Sequence, residues 1–292
     1  MGLSLSQPLW GYFDNSKKLC RIMTYNVEWG FLELPKDINT DSCGHPIPQT
    51  SLAQNEHLKL ISKNIGVMNP DICFLQEMGS LDAVKCVSKN LFDMFGSTYS
   101  VHYSNDEKGY QGVGLLIKST FDTLCEVSNI PNFPLNRALG IKMNILGEKY
   151  KIVGVHLKSL YDHNYKKDVS EQLAQIEAVS NWTNDTENVI ICGDFNNTSE
   201  SEPIKKMQSL GYTDILDKPT IYVPNITNSH NTEFHGKDSK ESGSRIDYIF
   251  TTKSIISISG HIVNFTRENP KPSKTLRQET SDHLPILGIF SL

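Results

Sequence analysis

Positive charge is in short supply in this chain. Its 292 residues carry 28 Lys and Arg against 33 Asp and Glu, a formal net charge of −5. That balance argues against a broad electrostatic grip on nucleic acid, although an acidic protein can still hold a locally basic cleft. No apolar run approaches the length needed to span a bilayer. The N-terminus lacks the basic stretch and apolar run of a secretory leader, so the sequence reads as intracellular and cytoplasmic, with the nucleus open. Cysteine is sparse: Cys20, Cys43, Cys73, Cys86, Cys125 and Cys192 are scattered and form no CxxC pair. A structural zinc site and a disulfide scaffold are both disfavoured by that spacing. Repeats, low-complexity tracts and a recognisable linker are missing as well.

What is present is an ordinary soluble composition, 38% apolar, which suffices for a sizeable core. Residues 1–18 read as an extension and 19–292 as a single domain, expected to be monomeric. Gly2 and Ser6 fit the Met-Gly-x-x-x-Ser pattern for N-myristoylation. No polybasic second signal follows, and one acyl chain binds membranes only marginally.

Short apolar strands alternate with helices. Strands are expected at 19–26, 71–77, 99–103, 112–117, 138–145, 151–157, 189–192, 245–250, 255–263 and 285–290. Helices are expected at 52–69, stopped by Pro70, at 81–95, and at 170–183. The last has Leu173, Ile176, Val179 and Trp182 on one stripe. Strands 138–145 and 151–157 read as a hairpin joined at Gly147. Strands of all-round apolar character flanked by a few helices point to two packed mixed sheets with helices outside.

Polar residues cluster where these apolar runs end. Asn26 closes the first strand and Glu77 the second. A carboxylate directly after a buried run must be hydrated, paired or metal-bound. His156 and Lys158 lie two residues apart in Val-His-Leu-Lys-Ser and share a strand face, as an imidazole and a cation at a phosphate site would. Asp194 and Asn196, in Gly-Asp-Phe-Asn-Asn, are two short oxygen donors that suit Mg²⁺ or a water beside it. Asp247 has apolar neighbours on both sides and needs a partner, for which His283 is the natural candidate.

Taken in order, Tyr-Asn-Val-Glu, Gln-Glu-Met, Val-His-Leu-Lys-Ser, Gly-Asp-Phe-Asn-Asn, Arg-Ile-Asp-Tyr-Ile-Phe and Ser-Asp-His-Leu-Pro resemble the endonuclease/exonuclease/phosphatase superfamily over about residues 20–290. The resemblance implies a four-layer α/β sandwich in which two mixed sheets pack face to face between helices. It implies that Glu77 is the main Mg²⁺ ligand (Mn²⁺ substituting), with Asn26 a ligand or close partner and Asp282 a further acid near the metal. His283 matches the catalytic histidine, held by Asp247. Asp194 and Asn196 match the pair that positions the attacking water, and His156 a histidine beside the leaving group or a phosphate oxygen. Arg137 resembles an arginine that can contact a substrate phosphate. Tyr161, with Lys166 and Lys167 in the loop after the His156 motif, could stack on a base and touch the backbone.

The expected activity is in-line attack of water on phosphorus, His283 or Asp194 taking the proton. A nuclease acting on DNA, or on RNA, leads. A phosphoinositide phosphatase or sphingomyelinase-type phosphodiesterase is the alternative, followed by hydrolysis of small phosphodiesters or adducts such as tyrosyl–DNA bonds. A non-catalytic binding module is disfavoured, because every expected catalytic position is filled.

Overall fold

Strands β1 (Leu19–Gly30), β2 (Ile72–Met78), β3 (Tyr99–Tyr103) and β4 (Gly112–Lys118) come first in the chain, with helices α1 (Ser51–Met68) and α2 (Leu81–Phe95) set among them. Then follow α3 (Ser119–Asp122), β5 (Cys125–Asn129), β6 (Ala138–Ile145), β7 (Glu148–His156), α4 (Tyr165–Thr183), β8 (Asn188–Asp194), α5 (Glu202–Ser209), β9 (Thr213–Asp214), β10 (Asp247–Thr251), β11 (Ile256–Ile262) and β12 (Ile286–Ser291). The computed structural model describes residues 18–33, 50–104, 111–160, 165–217, 245–263, 281 and 283–292.

The strands form two six-stranded sheets, β11-β12-β1-β2-β4-β3 and β5-β6-β7-β8-β10-β9. In each, the central pair, β1/β2 or β7/β8, is parallel and the other pairings are antiparallel. Parallel neighbours need a crossover, and α1 and α4 supply one each.

Period-two alternation then sorts the side chains into layers. Ile22, Ile72, Phe74 and Leu115 meet Ile141, Ile152, Ile190 and Ile249 between the sheets. The intervening residues Met23, Tyr25, Cys73 and Leu75 face outward onto Leu58, Ile61 and Ile65 of α1 and Val84, Val87 and Leu91 of α2. On the other side Val153, Val155, Val189 and Ile191 face Ile176 and Val179 of α4 and Ile204 and Met207 of α5. The result is the expected four-layer α/β sandwich. Across its middle, Gly154 is a spacing requirement, since a Cβ there would lie 1.9 Å from the Phe74 ring.

Local signals explain the element ends. Thr50 caps α1 by accepting from the Ala53 amide at 3.2 Å, and Ser80 caps α2 through Ala83 at 3.1 Å. Left-handed Asn69 and Gly96 close the same helices. The β6–β7 hairpin turns at Leu146 and Gly147, both with positive φ, as a two-residue primed turn requires.

The structure departs from the sequence reading in several elements, β1 for one running to Gly30 rather than ending at Asn26. Strand β5 and helix α5 are not among the expected elements; they are short, five and eight residues, and α5 starts at Glu202-Pro203. Helix α4 begins at Tyr165, and its buried face is rotated from the expected apolar stripe. Leu173 and Trp182 are only half-buried, whereas Asp168, Gln172, Gln175 and Thr183 are buried beside Ile176 and Val179. Among the described residues all five cysteines are free thiols, and no helix there is long and apolar enough to cross a membrane.

Candidate active site

The second sheet sets three candidate residues side by side. His156 on β7 is the register partner of Asp194 on β8, and Asp194 is the partner of Asp247 on β10. Side chains opposite one another point to the same face. Two residues before His156 and Asp194, and two after Asp247, come Gly154, Cys192 and Ile249 of the interior layer. The rung therefore points between the sheets, where the apolar interior gives way to polar groups. All three residues are at most 2% exposed.

The first sheet reaches the same place by breaking its pleat. Asn26 follows Ile22 and Thr24 on the inner face of β1. On β2 strict alternation would put Gln76 inside and Glu77 outside. Between Leu75 and Met78 the register against β4 slips by one residue, and Glu77 adopts a φ of 63°. This bulge turns Glu77 inward and returns Met78 to the outer layer. Beneath it Gln76 and Thr24 bond each other, with the Gln76 amide donating at 3.0 Å.

The two sheets meet through Asn26. Its Nδ2 donates to Glu77 Oε1 at 3.1 Å and to Asp194 Oδ2 at 3.0 Å. Its Oδ1 accepts from the Glu28 amide at 3.0 Å, so both ends of the side chain are fixed. Asp194 Oδ2 also lies 3.7 Å from His156 Nε2 and 3.9 Å from His283 Nε2. Its Oδ1 accepts from the Asn196 amide at 2.7 Å, where Asn196 holds a left-handed φ of 51°. His156 Nε2 is 3.9 Å from Glu77 Oε1. His283 Nδ1 sits 2.8 Å from Asp247 Oδ2, and its backbone amide donates to Ser281 Oγ at 3.0 Å. An ionised Asp247 can only accept, so the Nδ1–H donates to it and Nε2 is turned to the site.

The electrostatics follow from burial. Asp194 is pushed up to about 7, first by desolvation and then by the charge of Asp247, against the pull of His283 and the hydrogen bonds from Asn196 and Asn26. His156 is held well below the usual imidazole range by burial, then by the charges of Arg137 and His283, and is neutral near pH 7. Arg137 thus stands close enough to act on His156 electrostatically, and its carbonyl accepts the His156 amide at 2.9 Å.

Lys158 lies just past the end of β7 with its backbone held by α4, Gln175 accepting from its N–H at 2.9 Å and Gln172 donating to its carbonyl. Tyr161 and Asp282 lie outside the described residues, as does Gly2. Sequence reasoning did not single out Ser281, Gln76, Gln172, Gln175 or His57. His57 on α1 places its Nε2 3.1 Å from both the Val27 and Glu28 carbonyls, bracing the turn after Asn26. Ser281 and Gln76 adjoin motif residues and were within reach; a polar residue on a helix carries no such signal.

The sequence profile of the Endonuclease/Exonuclease/phosphatase family matches residues 23–283. The chain belongs to that family. An endonuclease/exonuclease/phosphatase family protein from Leptotrichia buccalis superposes with a TM-score of 0.64 at 16% identity, covering 94% of this chain and 100% of its own. Truncated TDP2 from Caenorhabditis elegans gives 0.59 at 17%, covering 94% and 98%. An AP endonuclease from Archaeoglobus fulgidus gives 0.58 at 19%, covering 94% and 100%. At such identities these likenesses show a shared fold. No curated protein matches the chain.

Members of the endonuclease/exonuclease/phosphatase family act on phosphoester bonds and depend on a divalent metal. The donors here suit one. Glu77 and Asp194 present hard oxygens drawn toward each other by one amide nitrogen, in a buried place where two carboxylates repel unless a cation or proton intervenes. Asp194, Asp247 and His283 also offer donor atoms within 4.8 Å of one another, but Asp247 is already committed to His283.

Proposed function

We propose that this protein is a Mg²⁺-dependent phosphodiester hydrolase acting on nucleic acid, DNA foremost. The observation that carries the reading is the convergence on Asp194 Oδ2 of Asn26, His156 and His283, with Glu77 facing them. Glu77 and Asp194 would hold the metal, Asn26 fixing both carboxylates rather than ligating, and Asp282 would add a further acid. The metal, when bound, would neutralise charge on the phosphate and lower the pKa of a bound water.

The protein's own groups supply the rest. Asp247 fixes the His283 tautomer, so Nε2 can take a proton from the attacking water. Asp194, its pKa near 7 before a cation lowers it, orients that water with Asn196. Neutral His156 offers its Nε2–H to a phosphate oxygen, and Arg137 adds positive charge on the same side. Lys158, two residues beyond His156, would supply a second cation for the phosphate. The nucleic-acid assignment draws on the likeness to an AP endonuclease.

The test is cleavage of plasmid, single-stranded DNA and RNA by wild type and by an Asp194→Ala/His283→Ala double variant, with Mg²⁺ and with EDTA. Metal-dependent cleavage by wild type alone supports the reading. Absence of cleavage on all three polymers discards nucleic acid as substrate and turns attention to phosphoinositides and sphingomyelin.

A further inference from the structure

Helix α4 buries two glutamines where an amphipathic helix should bury aliphatic side chains. Gln172 and Gln175 are both 0% exposed. Burying an amide is costly unless its hydrogen bonds are made, and where these bonds go is informative. Gln175 Oε1 accepts the Lys158 N–H at 2.9 Å while its Nε2 donates to the Pro134 carbonyl at 3.2 Å. Gln172 Nε2 donates to the Lys158 carbonyl.

One side chain therefore ties together two segments that border the site. The first is the turn Pro134–Asn136, which leads into Arg137. It contains Leu135 and Asn136 at φ of 67° and 52°, two successive left-handed residues without glycine. Such a conformation persists only when its surroundings enforce it. The second segment is the exit of β7. There the Leu157 amide donates to the Asp194 carbonyl at 2.9 Å, and Asn196 Nδ2 donates to the Leu157 carbonyl at 3.0 Å. With the two glutamines, all four backbone polar groups of Leu157 and Lys158 are held by the catalytic loop on one side and by α4 on the other.

We propose that Gln175, assisted by Gln172, is a positioning residue that sets the placement of Arg137 and Lys158 and so governs binding of the anionic substrate rather than the chemical step. This rests on the nuclease reading only for the identity of the anion. Neither glutamine hydrogen-bonds Glu77 or Asp194; both act on the backbone of Lys158, and Gln175 also on that of Pro134.

The experiment compares wild type with Gln175→Leu, Gln172→Leu, Arg137→Ala and the Gln175→Leu/Arg137→Ala double variant, each as the full chain. By hydrogen–deuterium exchange, Gln175→Leu should speed exchange in peptides covering 134–137 and 157–160. Gln172→Leu should do so at 157–160 alone. Unchanged exchange at both segments in Gln175→Leu overturns the proposal, and this arm needs no substrate.

On a single-stranded DNA oligonucleotide, Gln175→Leu should raise KM about tenfold with kcat within about threefold. The slope of log(kcat/KM) against log[NaCl] should become shallower by about one. The double variant should fall well short of the product of the single effects, because the glutamine acts through the arginine. A full product, or a fall in kcat with unchanged KM, overturns it. If Gln175→Leu folds poorly, Gln172→Leu carries the KM, kcat and salt-slope tests through Lys158. If wild type cleaves no nucleic acid, the substrate reading fails by itself, and the exchange arm still decides whether the glutamines position these segments.

Discussion

The two sheets deliver their polar side chains to the same cleft by different means. In the second sheet His156, Asp194 and Asp247 occupy one rung of undisturbed register, and ordinary alternation aims all three inward. In the first sheet alternation would have sent Glu77 into the outer layer, and only the bulge between Leu75 and Met78 turns it round. The rung gathers groups suited to proton transfer, whereas the bulge sets apart a carboxylate suited to a cation. Asn26 bridges the two by bonding one carboxylate from each sheet. The division of labour is thus also a division of backbone geometry.

Substitutions should separate the two halves. The largest effect is expected for His283→Ala and Asp247→Asn, which remove the proposed proton acceptor or its orienting partner. Each should lower kcat by about 10²–10⁴-fold while Mn²⁺ affinity, read by electron paramagnetic resonance, changes little. Glu77→Gln should do the reverse, weakening Mn²⁺ binding by about 10–100-fold or more. Equal loss of metal affinity in both sets would abolish the distinction between the sheets.

A third prediction concerns Asp194, which belongs to both halves. Its folded pKa of about 7 lies above the ordinary carboxylate value of 3.8. The folded state therefore binds the proton more tightly than the unfolded one. Its contribution to stability is fully present below pH 3.8 and is lost as pH rises through about 7. Metal-free protein should lose thermal stability across that window. Asp194→Asn should flatten the dependence and raise Tm near pH 8 by a few degrees, while abolishing catalysis. A Tm profile for Asp194→Asn that follows wild type would contradict the assignment. The smallest effects belong to two glycines, one between the sheets and one in the β6–β7 hairpin turn. Gly154→Ala forces a methyl into Phe74 and should cost about 1–3 kcal/mol in chemical denaturation. Gly147→Ala meets open space and only an unfavourable φ of 90°, for about 1 kcal/mol.

How much of this was readable beforehand follows the same line. The layers, most strands and the hairpin at Gly147 came from periodicity and turn chemistry. Most of the six short motifs marked strand ends, although β1 runs past Asn26 to Gly30, and the His283–Asp247 contact followed from a buried acid needing a partner. The inward turn of Glu77 was not legible, because a bulge leaves the composition of a strand unchanged. Gln172 and Gln175 were missed because a polar residue on a helix ordinarily faces water. Their burial depends on where Pro134 and Lys158 arrive in space.

The rung of His156, Asp194 and Asp247 has one more consequence. Strand β10 joins β8 after a long stretch of chain, and a slip of one position in that pairing would turn Asp247 to the opposite face. Such a molecule could keep its helices and most of its sheet and yet leave His283 without its partner. Turnover per folded molecule is therefore a sensitive gauge of strand alignment. In refolding, recovery of activity should lag behind recovery of circular dichroism by the time β10 needs to find its place.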